Sequence, residues 1–323
     1  MMEQKMPMQP WPALAQYAKS RRLKNGNLFY YDSDAGAARA NNAQPALILI
    51  HGLGDESDSF RHIIPLLAQA GYRVIAPDLP GFGRSNGFCP GEKMTHNTKI
   101  PWKGRTGLGC HVQALISLME ETAAARPGQP VVLVGSSMGS VISQLTAHKR
   151  PDLVKAIILM DGCHPLSGRT DAGFLLMALP FIGKAWYRNF RKNHEGAWRS
   201  LYSYYRDLDA MSNDDKVFLR NRVIDRVESR SQEHAYFSSL RSMISLNLFR
   251  RGKFLRGMKN YTGKILLLWG EADKVMPFEA SSDLRALRPD AAHQFIGGAG
   301  HLPQQEAPVE TAAAIIKWLN NLR

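Results

Sequence analysis

The stretch Pro130–Ser143, PVVLVGSSMGSVIS, constrains this chain more than any other. Val131 to Val134 form a short, β-branched apolar run bounded by proline and glycine, which suits a strand buried on both faces. A tight turn follows, Gly135-Ser136-Ser137-Met138-Gly139, and then Val141, Ile142, Leu145 and Thr146 recur at helical spacing. Strand, turn and helix in that order give a G-x-S-x-G sequence the context in which its central serine is held out on a strained bend above a sheet. Gly135 and Gly139 keep side chains away from the strand and helix that pack beside the bend. The same bend aims the Met138 N–H at an oxygen that turns negative during acyl transfer. The plain alternative is a Gly/Ser loop joining two elements, so the rest of the chain must decide.

Other strand-to-loop junctions repeat the pattern. Ala46–Ile50, ALILI, runs into His51-Gly52-Leu53-Gly54, where backbone N–H groups can turn toward a ligand. Arg73–Ala76 precedes Asp78-Leu79-Pro80-Gly81-Phe82-Gly83-Arg84-Ser85, and Val154–Met160 ends at Asp161. Lys264–Trp269 leads to Gly270-Glu271-Ala272-Asp273-Lys274-Val275-Met276-Pro277, and His293–Ile296 leads to Gly297-Gly298-Ala299-Gly300-His301-Leu302-Pro303. Helices are expected over 60–69, 111–125, 281–287 and 308–322. Strands alternating with helices predict an α/β chain with a mostly parallel central sheet flanked by helices.

Between about 165 and 256 the alternation stops. The segment is helical in pattern and rich in aromatics, and residues 165–262 hold 18 lysines and arginines against 9 aspartates and glutamates, +9 of the chain's +13. Within it, Phe174–Tyr187 (FLLMALPFIGKAWY) is apolar but too short to span a bilayer; packing on the core is the expected use, a lipid-interface patch the alternative. Residues 87–109 read as a long loop, with a place near the site mouth or mere surface as its alternatives.

HGLG, DLPGFGRS and GSSMGS, in that order, resemble the α/β-hydrolase superfamily, in particular its cap-bearing branch of esterases, epoxide hydrolases, dehalogenases and C–C hydrolases. The resemblance covers about residues 28–164 and 262–322. It implies a core of 1–164 and 257–323 with a helical cap, 165–256, inserted over the site. It also implies a catalytic triad of Ser137 as nucleophile, His301 as base and Asp273 as the acid, with the Leu53 and Met138 N–H groups as the oxyanion hole. Asp161 is the rival acid, and DLPGFGRS is structural. The implied activity is carboxylic-ester hydrolysis (EC 3.1.1 class) through an acyl-enzyme, on a small-molecule ester or related carbonyl compound. Two alternatives stay open: a C–C bond hydrolase acting on diketone ring-fission products, with Arg188 or Arg191 binding a substrate carboxylate, and a ligand-binding homologue without turnover. A serine at the elbow argues against the epoxide hydrolases and dehalogenases, which carry aspartate there. No metal or cofactor is required.

Composition narrows the setting. The chain of 323 residues is ample for a sizeable core. Residues 1–27 are polar and basic without an apolar signal core, and no run approaches the length of a transmembrane helix, so no stable membrane insertion is expected. Cys89, Cys110 and Cys163 lack metal spacing and read as reduced thiols, hence a cytoplasmic setting. No zinc-finger, helix-turn-helix or RNP pattern converts the positive charge into nucleic-acid binding. Nothing here decides between monomer and homodimer.

Overall fold

The computed structural model describes residues 8–23, 26–34, 44–87, 106–122, 124–125, 128–162 and 172–322. Its strands are β1 (Ala18–Leu23), β2 (Gly26–Asp32), β3 (Leu47–Ile50), β4 (Val74–Pro77), β5 (Asn86–Gly87), β6 (Val131–Ser136), β7 (Val154–Met160), β8 (Lys264–Gly270) and β9 (Ala292–Ile296). They form one sheet in the order β1-β2-β4-β3-β6-β7-β8-β9, with β5 pairing β2. From β4 to β9 along that order every pairing is parallel, and β1, β2 and β5 pair antiparallel at one end. The expected α/β architecture is therefore present.

Both faces of the sheet are covered, as unbroken apolar strands require. Ile48, Ile50, Val131 and Leu133 point into one core, and Leu47, Leu49, Val132 and Val134 into the other, following the two-residue period. Helices α1 (Ile63–Gln69), α2 (Leu108–Glu121) and α3 (Met138–Lys149) lie between the early strands. After β7 come α4 (Ala172–Ala178), α5 (Pro180–Lys192), α6 (His194–Arg199), α7 (Asn213–Glu228) and α8 (Arg230–Asn260). Around and after β9 come α9 (Ser282–Leu287), α10 (Pro303–Glu306) and α11 (Pro308–Asn320).

Several expectations shift. The basic segment over 18–23 is strand β1, whose alternation is hidden because an edge strand of this kind carries charge, here Lys19, Arg21 and Arg22. Helix α8 runs past residue 256 to Asn260, and its last turn packs Gly257 against the His148 ring of α3. The Phe174–Tyr187 segment divides: Tyr187 is buried, whereas Leu175, Leu176, Leu179, Phe181 and Ile182 stand exposed, Phe181 at 88%. Packing on the core thus accounts for only part of that segment. Cys110 is disulfide-bonded, which corrects the reduced-thiol reading and removes its support for a cytoplasmic setting. The 87–109 loop lies for the most part outside the described residues. Among the described residues, no helix is long and apolar enough to cross a membrane.

Candidate active site

Strand β3 is the point where the strand order reverses, since β4 lies on one side of it and β6 on the other. Loops leaving the carboxyl ends of two such strands diverge and leave a crevice. The loop after β3 carries Gly52 and Leu53, and the loop after β6 carries Ser137. Parallel register sets Ile50 opposite Gly135, so both loops leave the sheet at one level. A Cβ on Gly52 would lie 3.3 Å from the Ser137 Cβ and 3.9 Å from its Oγ, which places the Gly52–Leu53 backbone beside the serine hydroxyl.

Ser137 sits at φ 52°, ψ −115°, a conformation non-glycine residues avoid. Its N–H donates to Met160 O at 2.8 Å, and its carbonyl accepts from the Ser140 N–H at 2.9 Å. Gly139 is obligatory by close approach: a Cβ there would fall 2.0 Å from Ile50 O. Helix α3 begins at Met138, so the Met138 N–H is among the N-terminal donors without an intrahelical acceptor. Neighbouring serines have other uses, with Ser140 Oγ donating to Gly135 O at 2.7 Å.

His301 and Asp273 arrive from the ends of β9 and β8. His301 Nδ1 is 2.8 Å from Asp273 Oδ2, both side chains being almost wholly buried. The other carboxylate oxygen, Oδ1, accepts from the Val275 and Met276 N–H groups at 2.8 and 2.9 Å, which fixes the carboxylate plane. The rival Asp161 (φ 47°) directs Oδ1 at the Gly270 N–H, 2.8 Å away. Burial first, and then the neighbouring Asp273 charge, hold the Asp161 carboxyl well above the usual carboxylate range. Asp161, Asp273 and His301 bring donor atoms within 4.8 Å of one another. Both Asp273 oxygens and Asp161 Oδ1 are engaged by His301 or by backbone N–H groups, whereas Asp161 Oδ2 is buried without a hydrogen-bond partner among the described residues.

Ser137 and His301 line one cavity of about 150 Å³, together with Leu53, Tyr204, Trp186 and Tyr236. Its walls are mostly aromatic and aliphatic. Arg226 is the one arginine lining it among the described residues, whereas Arg188 and Arg191 line a different groove on the outside of the insertion. Leu53 and Ser137 thus meet at the cavity, Met138 adjoins it, and the two arginines are not brought there.

Sequence reasoning missed the residues that fix this geometry. The His301 N–H donates to Tyr204 O at 2.8 Å, and the Tyr204 ring lies 5.8 Å from the imidazole. Glu306 accepts from the N–H groups of Gly300 and Arg206, at 2.6 and 2.7 Å, tying the histidine loop to the insertion. Behind Gly54, Arg226 of α7 reaches Glu56 through Nε and Nη2, both at 2.6 Å, and Asp55 at 2.5 Å. His51 accepts from the Leu79 N–H at Nε2, so its proton resides on Nδ1, which donates to Gly52 O at 2.8 Å. Burial lowers its pKa, leaving a neutral brace under the β3 loop. Except for the His51–Gly52 and Glu306–Gly300 bonds, these contacts link segments far apart in sequence and have no local signature.

Comparison with known proteins agrees with the fold. The family model for the alpha/beta hydrolase fold matches residues 45–308. An uncharacterised hydrolase, YugF of Bacillus subtilis, is 26% identical over 272 residues, covering 83% of this chain and 87% of its own length. Lipase 3 of a Moraxella species is 26% identical over 295 residues, covering 91% and 82%. The structure of a thermophilic esterase from Thermogutta terrifontis superposes with a TM-score of 0.66 at 19% identity, covering 94% of this chain and 99% of that one.

Proposed function

Starting from the fact that the chain belongs to the alpha/beta hydrolase fold family, we propose that it hydrolyses short-chain carboxylic esters with Ser137, His301 and Asp273 as its triad. The observation that carries this reading is the serine at φ 52° lining one cavity with a buried histidine whose Nδ1 lies 2.8 Å from an aspartate. Asp273 holds the imidazole with its proton on Nδ1, leaving Nε2 to take the Ser137 proton. Ser137 Oγ then bonds the carbonyl carbon, and the oxygen's developing charge is received by the Leu53 and Met138 N–H groups. His301 returns the proton to the departing alkoxide. A water, deprotonated by His301, attacks the acyl carbon, and the serine leaves with the proton as the acid is released.

The kinship to a protein named a lipase supports ester hydrolysis. The small cavity, about 150 Å³ against roughly 300–1,000 Å³ for drug-sized ligands, favours short acyl groups. C–C hydrolysis is less well supported, because Arg188 and Arg191 lie outside the cavity and Arg226 is occupied by Asp55 and Glu56. Nitrophenyl esters of increasing chain length test the proposal. Acetate and butyrate esters should turn over fastest, and Ser137→Ala should lower kcat by about 10⁴–10⁶ with the fold retained. An unchanged rate in that variant would exclude Ser137 as nucleophile.

A further inference from the structure

The outside of the helical insertion carries two adjoining features that the hydrolytic site does not use. The first is an apolar ridge. Leu175, Leu176, Leu179, Phe181 and Ile182, at the junction of α4 and α5, are exposed by 39, 52, 50, 88 and 40%. The second is a groove of about 630 Å³ between α5 and the start of α8. Among the described residues five cationic side chains line it, Lys184, Arg188, Arg191, Arg230 and Arg241, against one carboxylate, Glu233, which is paired with Arg191 at 2.7 Å. The two features are continuous: Pro180, between Leu179 and Phe181, lines the groove, and Arg241 Nε donates to Ala178 O at 2.9 Å. Further along α8, exposed Leu248 and Phe249 stand directly before Arg250 and Arg251.

We infer that this face seats the protein on the surface of an anionic phospholipid bilayer. Protruding leucine and phenylalanine side chains lose hydration cost when they enter the headgroup–acyl boundary, and long basic side chains beside them reach lipid phosphates. The occupant must offer negative charge and hydrocarbon side by side. An acidic protein supplies the first and must be shaped to supply the second, whereas a fluid bilayer supplies both to a protruding ridge. The excess of +9 over residues 165–262 has the sign that an anionic leaflet attracts. Seating is peripheral: among the described residues no helix is long and apolar enough to cross a bilayer. The inference stands apart from the proposed chemistry, since no residue of the ridge lines the hydrolytic cavity.

Co-sedimentation of the full chain with phosphatidylcholine vesicles, with and without phosphatidylglycerol, tests it. The protein should pellet with the anionic vesicles at low salt, stay in solution with pure phosphatidylcholine, and be released at high salt. Leu176→Ser/Leu179→Ser/Phe181→Ser should weaken binding about tenfold or more. Lys184→Gln/Arg188→Gln should weaken it about thirtyfold, the sum for two basic residues at such a surface. All of these positions are solvent-facing, so melting temperatures should match the parent and separate lost docking from lost folding. No binding to anionic vesicles, equal binding to neutral ones, or full binding by either variant overturns the inference. Capture by polyglutamate without vesicle binding also overturns it, in favour of an acidic protein.

Discussion

At the scale of single residues, two buried carboxylates compete for one histidine, and their environments decide between them. Asp273 reaches His301 directly and is aligned by two backbone N–H donors, the geometry that the proposed orienting acid requires. Asp161 gives one oxygen to the Gly270 N–H and lies against Asp273, and burial together with that like charge favours its protonated form. A neutral amide should therefore replace Asp161 but not Asp273. Asp273→Asn should cut kcat on a nitrophenyl ester by about 10⁴, since the imidazole loses its tautomer. Asp161→Asn should remain within about tenfold of the parent, because its carbonyl can still accept from Gly270 and its amide can donate toward Asp273. Comparable losses in the two variants would show that the acids share the role. The sequence showed both aspartates at strand ends, and the G-x-x-D-x-x-x-P resemblance preferred Asp273; it could not show the donors that settle the carboxylate's orientation, because those form only when the β8 loop folds back on itself.

Among the elements, what was legible was whatever burial writes into sequence. Strands β3, β6, β7 and β8 are buried on both faces and were readable as unbroken apolar runs, whereas β1 was not, because an edge strand repays charge rather than hydrophobicity. Helix α8 runs on to Asn260 without a breaking residue, so no local signal marks where the expected cap segment would end. The turn over 78–85 shows how much structure a loop can hold. Asp78 accepts from the Ser57 N–H at 2.8 Å, the Ser57 hydroxyl at 2.5 Å, and the N–H and Nε of Arg84, both at 2.8 Å. Arg84 in turn lies 3.8 Å over the Phe29 ring. Burial opposes the charge on Asp78, but Arg84 and the hydrogen bonds outweigh it and bring the pKa down to about 2. A carboxyl depressed in the folded state adds stability above its unfolded value, near 4, and that stability fades as pH falls toward 2. The contribution is about 2 kcal/mol. Urea unfolding across pH 2 to 5 should show a steeper loss in the parent than in Asp78→Asn, which starts less stable and lacks that titration; parallel curves would contradict the assignment.

Over the whole molecule, the insertion is held to the hydrolase core by buried charge as well as by apolar contact. Arg226 and Arg222 of α7 face Asp55, Glu56 and Asp58 on the loop that follows the candidate oxyanion donor, while Arg61 of the core faces Asp215 of α7 at 2.8 Å. Glu56 is fully buried; burial pushes its pKa up, and Arg226 is the main opposing influence. The pairing couples α7 to the loop after β3, and it places the latch beside the cavity that Arg226 also lines. Removing one partner leaves the other charge buried without compensation, a loss typically of about 3–5 kcal/mol, whereas removing both charges is far less costly. Arg226→Met should therefore lower unfolding free energy by about that amount, and Arg226→Met/Glu56→Gln should recover most of it. If the latch also sets the position of the Gly52–Leu53 backbone, kcat on a short-chain ester should fall in Arg226→Met and return only in part in the double variant, because the amide restores neutrality without the bidentate grip. A double-mutant cycle in urea, run beside the ester assay, measures both effects; additive losses in stability would show that Arg226 and Glu56 act independently, and full recovery of kcat would show that charge balance alone governs the loop.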